Sequence, residues 1–126
     1  MRKVVSFSAA GGTGLNVYMV FVQRSSNHVL DGTDLTYKAE SSLAAPANAA
    51  IALTELSIKG MLSQVYQRIF VDAPANPWKS DTYYGFVYKR IGANPDFAVD
   101  SLIGNITLKV QNDEILDRFH SYSGEV

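Results

Sequence analysis

The chain has 126 residues, 47% hydrophobic and 18% charged, with eleven basic residues against twelve acidic ones and no cysteine. That length and balance indicate one domain with ample core material, burying about two-thirds of its unfolded surface, and exclude wholesale disorder. A net charge of −1 with cations scattered from Arg2 to Arg118 excludes a basic nucleic-acid face, and the missing thiols exclude disulfides and thiolate-held metal.

In chain order, Met1-Arg2-Lys3 lacks the following apolar stretch of a signal peptide. The run Val17 to Val22 is too short to span a bilayer, so no membrane partner is expected. The expectation is a soluble product of the cytoplasm that makes it. Val4 to Ser8 predicts a first strand, and the glycines of Ala9–Gly14 a loop. Leu15 to Gln23 is β-branched and aromatic, and apolar on both alternating sets, as in a central strand. Asp31-Gly32 predicts a two-residue turn between Val29-Leu30 and Leu35-Thr36-Tyr37. Residues 40–50 are compatible with a loop or one helical turn.

Two further strands, Ile51–Ile58 and Leu62–Phe70, flank a tight turn at Lys59-Gly60. Pro74 and Pro77 take the chain out of the sheet, because proline donates no ladder hydrogen bond. Thr82–Ile91 resumes a long strand, and Ile106 to Val110 alternates cleanly between apolar and polar. About seven strands without a convincing helix predict an all-β, antiparallel β-sandwich over residues 1–111. Tyr18, Phe21, Tyr66, Phe86 and Tyr88 are the expected core aromatics. Residues 112–126 form a short C-terminal tail, either a helix that packs on the sandwich or an arm that orders on a partner.

The sequence carries no recognisable catalytic set. His28 and His120 each have one carboxylate three residues away, Asp31 and Asp117, and no third ligand near, so both read as surface histidines. No serine sits in a Gly-x-Ser-x-Gly elbow, which Ser121-Tyr122-Ser123-Gly124 only brushes. Ala10–Gly14 lacks the Gly-Lys-Ser/Thr of a phosphate loop and is followed by a strand. Asp31 with Asp34, and Asp96 with Asp100, fall short of the roughly six to eight oxygens calcium requires, and read as turn caps. Trp78 sits in a loop, where an indole plugs the sandwich end, anchors a protein contact or stacks on a sugar. No catalytic residue, metal ligand or cofactor is therefore expected.

The stretch Tyr84-Gly85-Phe86-Val87-Tyr88-Lys89-Arg90-Ile91-Gly92-Ala93-Asn94-Pro95, followed by Asp100-Ser101-Leu102-Ile103-Gly104, resembles a pattern in small virion structural proteins of tailed bacteriophages. There, a strand ending in tyrosine and basic residues runs into Gly-Ala-x-Pro, then an aspartate and an Ile-Gly pair. Asn16-Val17-Tyr18, Asp31-Gly32, and Leu53-Thr54-Glu55 ahead of Gly60 and Tyr66 extend the similarity over roughly residues 15–105. After Gly104 the chain departs from the pattern, with Asn105-Ile106-Thr107 where a tryptophan is expected.

The resemblance implies an immunoglobulin-like or prealbumin-like sandwich on the outside of a head or tail. The implied role is non-enzymatic: a capsid decoration or cement protein in the virion, held by protein–protein interaction. The alternatives are a tail, collar or baseplate component, or a carbohydrate-binding host-attachment module. The implied partners are a major capsid protein or tail subunits, with many copies or a homo-oligomer on the particle. Trp78, Phe119 and Tyr122, in the Trp78 loop and the tail, are the candidate partner-binding residues. Removing the tail is then expected to spare folding and abolish incorporation.

The chain is expected to fold without metal. A native-state ligand raises stability by mass action, so an unchanged melting temperature on adding a chelator checks this.

Overall fold

The computed structural model describes residues 2–8, 12–71, 78–111 and 114–122. Among them are ten strands: β1 (Arg2–Ser8), β2 (Val17–Gln23), β3 (Val29–Asp31), β4 (Thr36–Lys38), β5 (Ile51–Ala52), β6 (Thr54–Ile58), β7 (Met61–Val71), β8 (Asp81–Lys89), β9 (Ser101–Gln111) and β10 (Glu114–Tyr122). All pairings are antiparallel. One sheet has the order β1-β7-β6, and the other β10-β9-β8-β2-β3-β4. β5 joins the second sheet on the same edge of β2 as β3, opposite Tyr18 and Met19, while β3 meets Val22. The fold is the predicted all-β antiparallel sandwich.

The inner faces follow from period-two alternation. Val17, Met19 and Phe21 of β2, Tyr83 and Val87 of β8, and Ile106, Leu108 and Val110 of β9 are buried. They face Val5 and Phe7 of β1 and Tyr66 and Phe70 of β7 in one core. Between Tyr83 and Val87 the inner position is Gly85. A Cβ there would lie 2.8 Å from Met19 Sδ and 2.9 Å from Ile106 Cγ1, so the packing leaves no room for a side chain.

Trp78 is 1% exposed. Its ring meets Phe70 of the first sheet at 5.2 Å, and Phe21 and Tyr83 of the second at 5.3 and 4.9 Å, all edge to face. Of the roles open to it in sequence, the plug is the one it has. The Lys79 amide donates to the Tyr83 hydroxyl and the hydroxyl donates to the Lys79 carbonyl, which pins the chain just after the indole.

Several sequence expectations are corrected. Phe86 and Tyr88 are half-buried on the outer face of β8, whereas Tyr18, Phe21 and Tyr66 are buried. The residues alternating with Phe86 and Tyr88 occupy the inner face, and a strand cannot turn both sets the same way. The Asp31-Gly32 turn is longer than two residues, because Asp31 pairs with Thr36. Leu35 rather than Gly32 has positive φ, and Gly32 instead lies against Asn48 and Ile51, where a Cβ would be 2.9 Å from Ile51 Cδ1. Residues 40–50 hold two short 3-10 turns, Glu40–Ser42 and Pro46–Ala49.

The tail also differs. Residues 114–122 form neither a helix nor a free arm but β10, paired along β9 from Gln111 to Gly104 with a bulge between Ile115 and Asp117. Backbone pairing along an existing edge satisfies a polar segment's amides and carbonyls without needing an apolar helical face. Cutting at residue 112 would strip an edge strand from the larger sheet.

Trp78→Ala is expected to cost about 3–5 kcal/mol, as for a large aromatic lost from a packed core. Phe86→Ala is expected to cost less than half as much. Urea unfolding followed by circular dichroism checks both, and equal losses would contradict the assignment of Phe86 to the outer face.

Candidate partner-binding surfaces

On the outer face of the larger sheet, register sets Tyr18 opposite Tyr88, Val20 opposite Phe86 and Val22 opposite Tyr84. This apolar stripe follows directly from a β2 sequence that is apolar on both alternating sets. The inner set fills the core and the outer set makes a second apolar surface. Part of that surface is roofed by the two 3-10 turns and by the loop of residues 91–100. Between them runs a groove of about 250 Å³, floored by Val20, Val22 and Tyr88 and walled by Leu43, Pro46 and Phe97, with Glu40 at its margin.

The loop is held rigidly. Asp100 is buried, and its carboxylate accepts from the Tyr18 hydroxyl at 2.6 Å, the Asp96 amide at 2.8 Å and the Ile91 amide at 2.9 Å. These donors, the Asp96 amide first, hold the Asp100 carboxyl below the usual carboxylate range. Burial, reinforced by the bond to Asp100, pushes the Tyr18 hydroxyl up, so it stays a donor at any ordinary pH. The Tyr18 ring stacks on Tyr88 at 5.3 Å, and Phe97 leans on both at 5.8 and 5.7 Å. Asp100 thereby caps its loop as expected, and the same cap positions Phe97 as a groove wall. Ile91, Val99 and Leu102 are exposed around it.

A second apolar surface lies at the β6–β7 hairpin. Lys59 and Gly60 have φ of 52° and 80°, the pair of positive values that a type I′ turn requires. Ile58 faces Met61 across the turn, and Ser57 faces Leu62. Ile58 is 66% exposed, Met61 74% and Leu62 51%. Successive cross-strand pairs lie on opposite faces, so neither side of this tip is covered by the body. Below the tip, Gln64 takes positive φ in a bulge, and its amide donates to Glu55 Oε2 at 2.8 Å. Glu55 Oε1 accepts from the Gly14 amide, also at 2.8 Å, and the Tyr66 hydroxyl donates to the Gly12 carbonyl. The described end of the glycine loop is thus tied to the hairpin base, with a carboxylate of the chain itself on the Gly14 amide.

The residues singled out in sequence are not brought together as a site. Trp78 is core, so an exposed-indole contact to protein or sugar is corrected. Phe119 stands opposite Thr107 and Tyr122 opposite Gly104, both on edge strand β10. Residues 9–11, 72–77, 112–113 and 123–126, which complete the loops and tail considered as attachment segments, lie outside the described residues. Asp31 and Asp34 are bridged by a cation of the chain itself: Lys38 Nζ lies 3.0 Å from Asp31 and 2.9 Å from Asp34. The groove and the hairpin tip are not among the candidate sites that the sequence motifs indicate. Their sequence signals are the outer triplet Tyr84-x-Phe86-x-Tyr88 and the apolar residues Ile58, Met61 and Leu62 flanking a two-residue turn, where polar residues are usual.

No family model, curated protein sequence or solved structure matches the chain.

The Thr33 hydroxyl and amide, followed by Lys38, hold the Asp31 carboxyl down to about 2. A folded-state value below the unfolded one means that these contacts stabilise fully above about pH 4 and are lost as pH falls toward 2. Melting temperature is therefore expected to fall across that window, and Asp31→Asn to flatten the fall. An equal slope in the variant would contradict the assignment.

Proposed function

We propose that this chain is a non-enzymatic structural protein of a tailed-phage virion, a capsid decoration or cement module bound to the head surface by protein–protein contacts. The observation that carries the reading is the grouping of exposed large apolar side chains on an otherwise well-packed body. Ile58, Met61 and Leu62 gather at one hairpin, and Ile91, Phe97, Val99 and Leu102 around one loop. Apolar groups clustered in this way mark surfaces that a partner covers.

The similarity of residues 15–105 to small virion proteins supplies the kind of partner. The mechanism is passive: each copy covers a modest area, and the symmetry of the shell multiplies its effect through avidity. With the only indole committed to the core, the sugar-stacking alternative loses the residue that motivated it.

Antibody raised against the purified chain is expected to label heads of particles released from cells that carry its gene, seen by immunogold electron microscopy. Label confined to tails moves the module to a tail, collar or baseplate position. Particles without label and without peptides of this chain by mass spectrometry overturn the reading.

A further inference from the structure

The two apolar surfaces differ in shape. The hairpin tip is convex and narrow, and the groove is concave. The smaller sheet packs on the inner face of the larger one, whereas the groove lies on the outer face. The tip of a chain therefore has no path to its own groove, but it can reach that of another copy.

Charge also matches. Lys59 stands at the apex of the tip between Ile58 and Met61, and Glu40 stands at the margin of the groove. Both residues are exposed, and neither has an ion-pair partner among the described residues. Edge strand β6 can approach closely because its neighbouring turn is only two residues long.

We propose that the β6–β7 hairpin of one copy inserts Ile58 and Met61 into the groove floored by Val20, Val22 and Tyr88 of the next copy, with Lys59 set on Glu40. A second copy is the occupant because it supplies both halves, apolar to apolar and cation to anion, in equal number. The contact joins tip to groove, so copies add head to tail into a ring or an open row, or close as a two-fold dimer when two copies exchange tips reciprocally. The inference concerns the free protein and does not rest on the particle reading.

Analytical ultracentrifugation of the purified full chain over a concentration series tests it. The wild type is expected to self-associate. Lys59→Glu and Glu40→Lys, both at exposed positions, should each weaken association by about tenfold or more through like-charge contact. The double variant should recover it. A tip variant, Met61→Asp, mixed with a groove variant, Leu43→Arg, should give a one-to-one complex that grows no further, since only one productive tip–groove pair remains. Circular dichroism confirms that each variant is folded. A wild type that stays monomeric overturns the proposal, as does a double swap that fails to recover association. A mixture of the two blocked variants that forms no complex overturns it as well.

Discussion

Two antiparallel sheets do not hold together through their own hydrogen bonds, which run within each sheet. What joins them here is the interdigitation around Trp78, whose ring takes the edges and faces of Phe70 from one sheet and Phe21 and Tyr83 from the other. Edge-to-face contacts between aromatic quadrupoles contribute about 0.5–1.5 kcal/mol each beyond the area they bury. Four such contacts, the fourth from Tyr37 at 6.4 Å, converge on a residue that reaches the core from outside any strand. The Tyr83 hydroxyl, clasped by the Lys79 backbone, ties that entry to β8.

With the inner faces matched in this way, the rest of the sheet's chemistry is displaced outward. β2 and β8 carry more apolar residues than one face can absorb, so the surplus lines the far side as Val20, Val22, Phe86 and Tyr88. Two 3-10 turns and an Asp100-capped loop cover part of it and leave a groove. A carboxylate satisfied by one hydroxyl and two amides is a rigid fixture, because each donor would be left unpaired if the loop moved. The groove wall at Phe97 inherits that rigidity.

Polar side chains elsewhere act in the same manner, closing turns. Asp31, Asp34 and Lys38 lock the β3–β4 turn, and Glu55 joins the hairpin bulge to the glycine loop. Asp31, Asp34, Asp96 and Asp100, paired carboxylates in the sequence, are each engaged by backbone amides, hydroxyls or a lysine. This gives the body a stiff frame from which the apolar hairpin tip projects.

Strand periodicity, turn residues and composition determined by themselves that the chain is an all-β antiparallel sandwich, because alternation and proline placement are local properties of the backbone. The Lys59-Gly60 turn was legible for the same reason, as was the capping role of Asp100. Tertiary structure alone decided which of two apolar sets faces inward, since Phe21 and Phe86 have equally apolar side chains and differ only in which side meets the other sheet. It decided that Trp78 is core, because burial of a loop residue depends on what converges on it from strands distant in sequence. It decided that residues 114–122 extend a sheet, because pairing with β9 recruits backbone groups that every sequence carries. The groove was hidden for a related reason: its walls come from residues 40–46 and from Phe97, and only folding brings them over the same pair of strands.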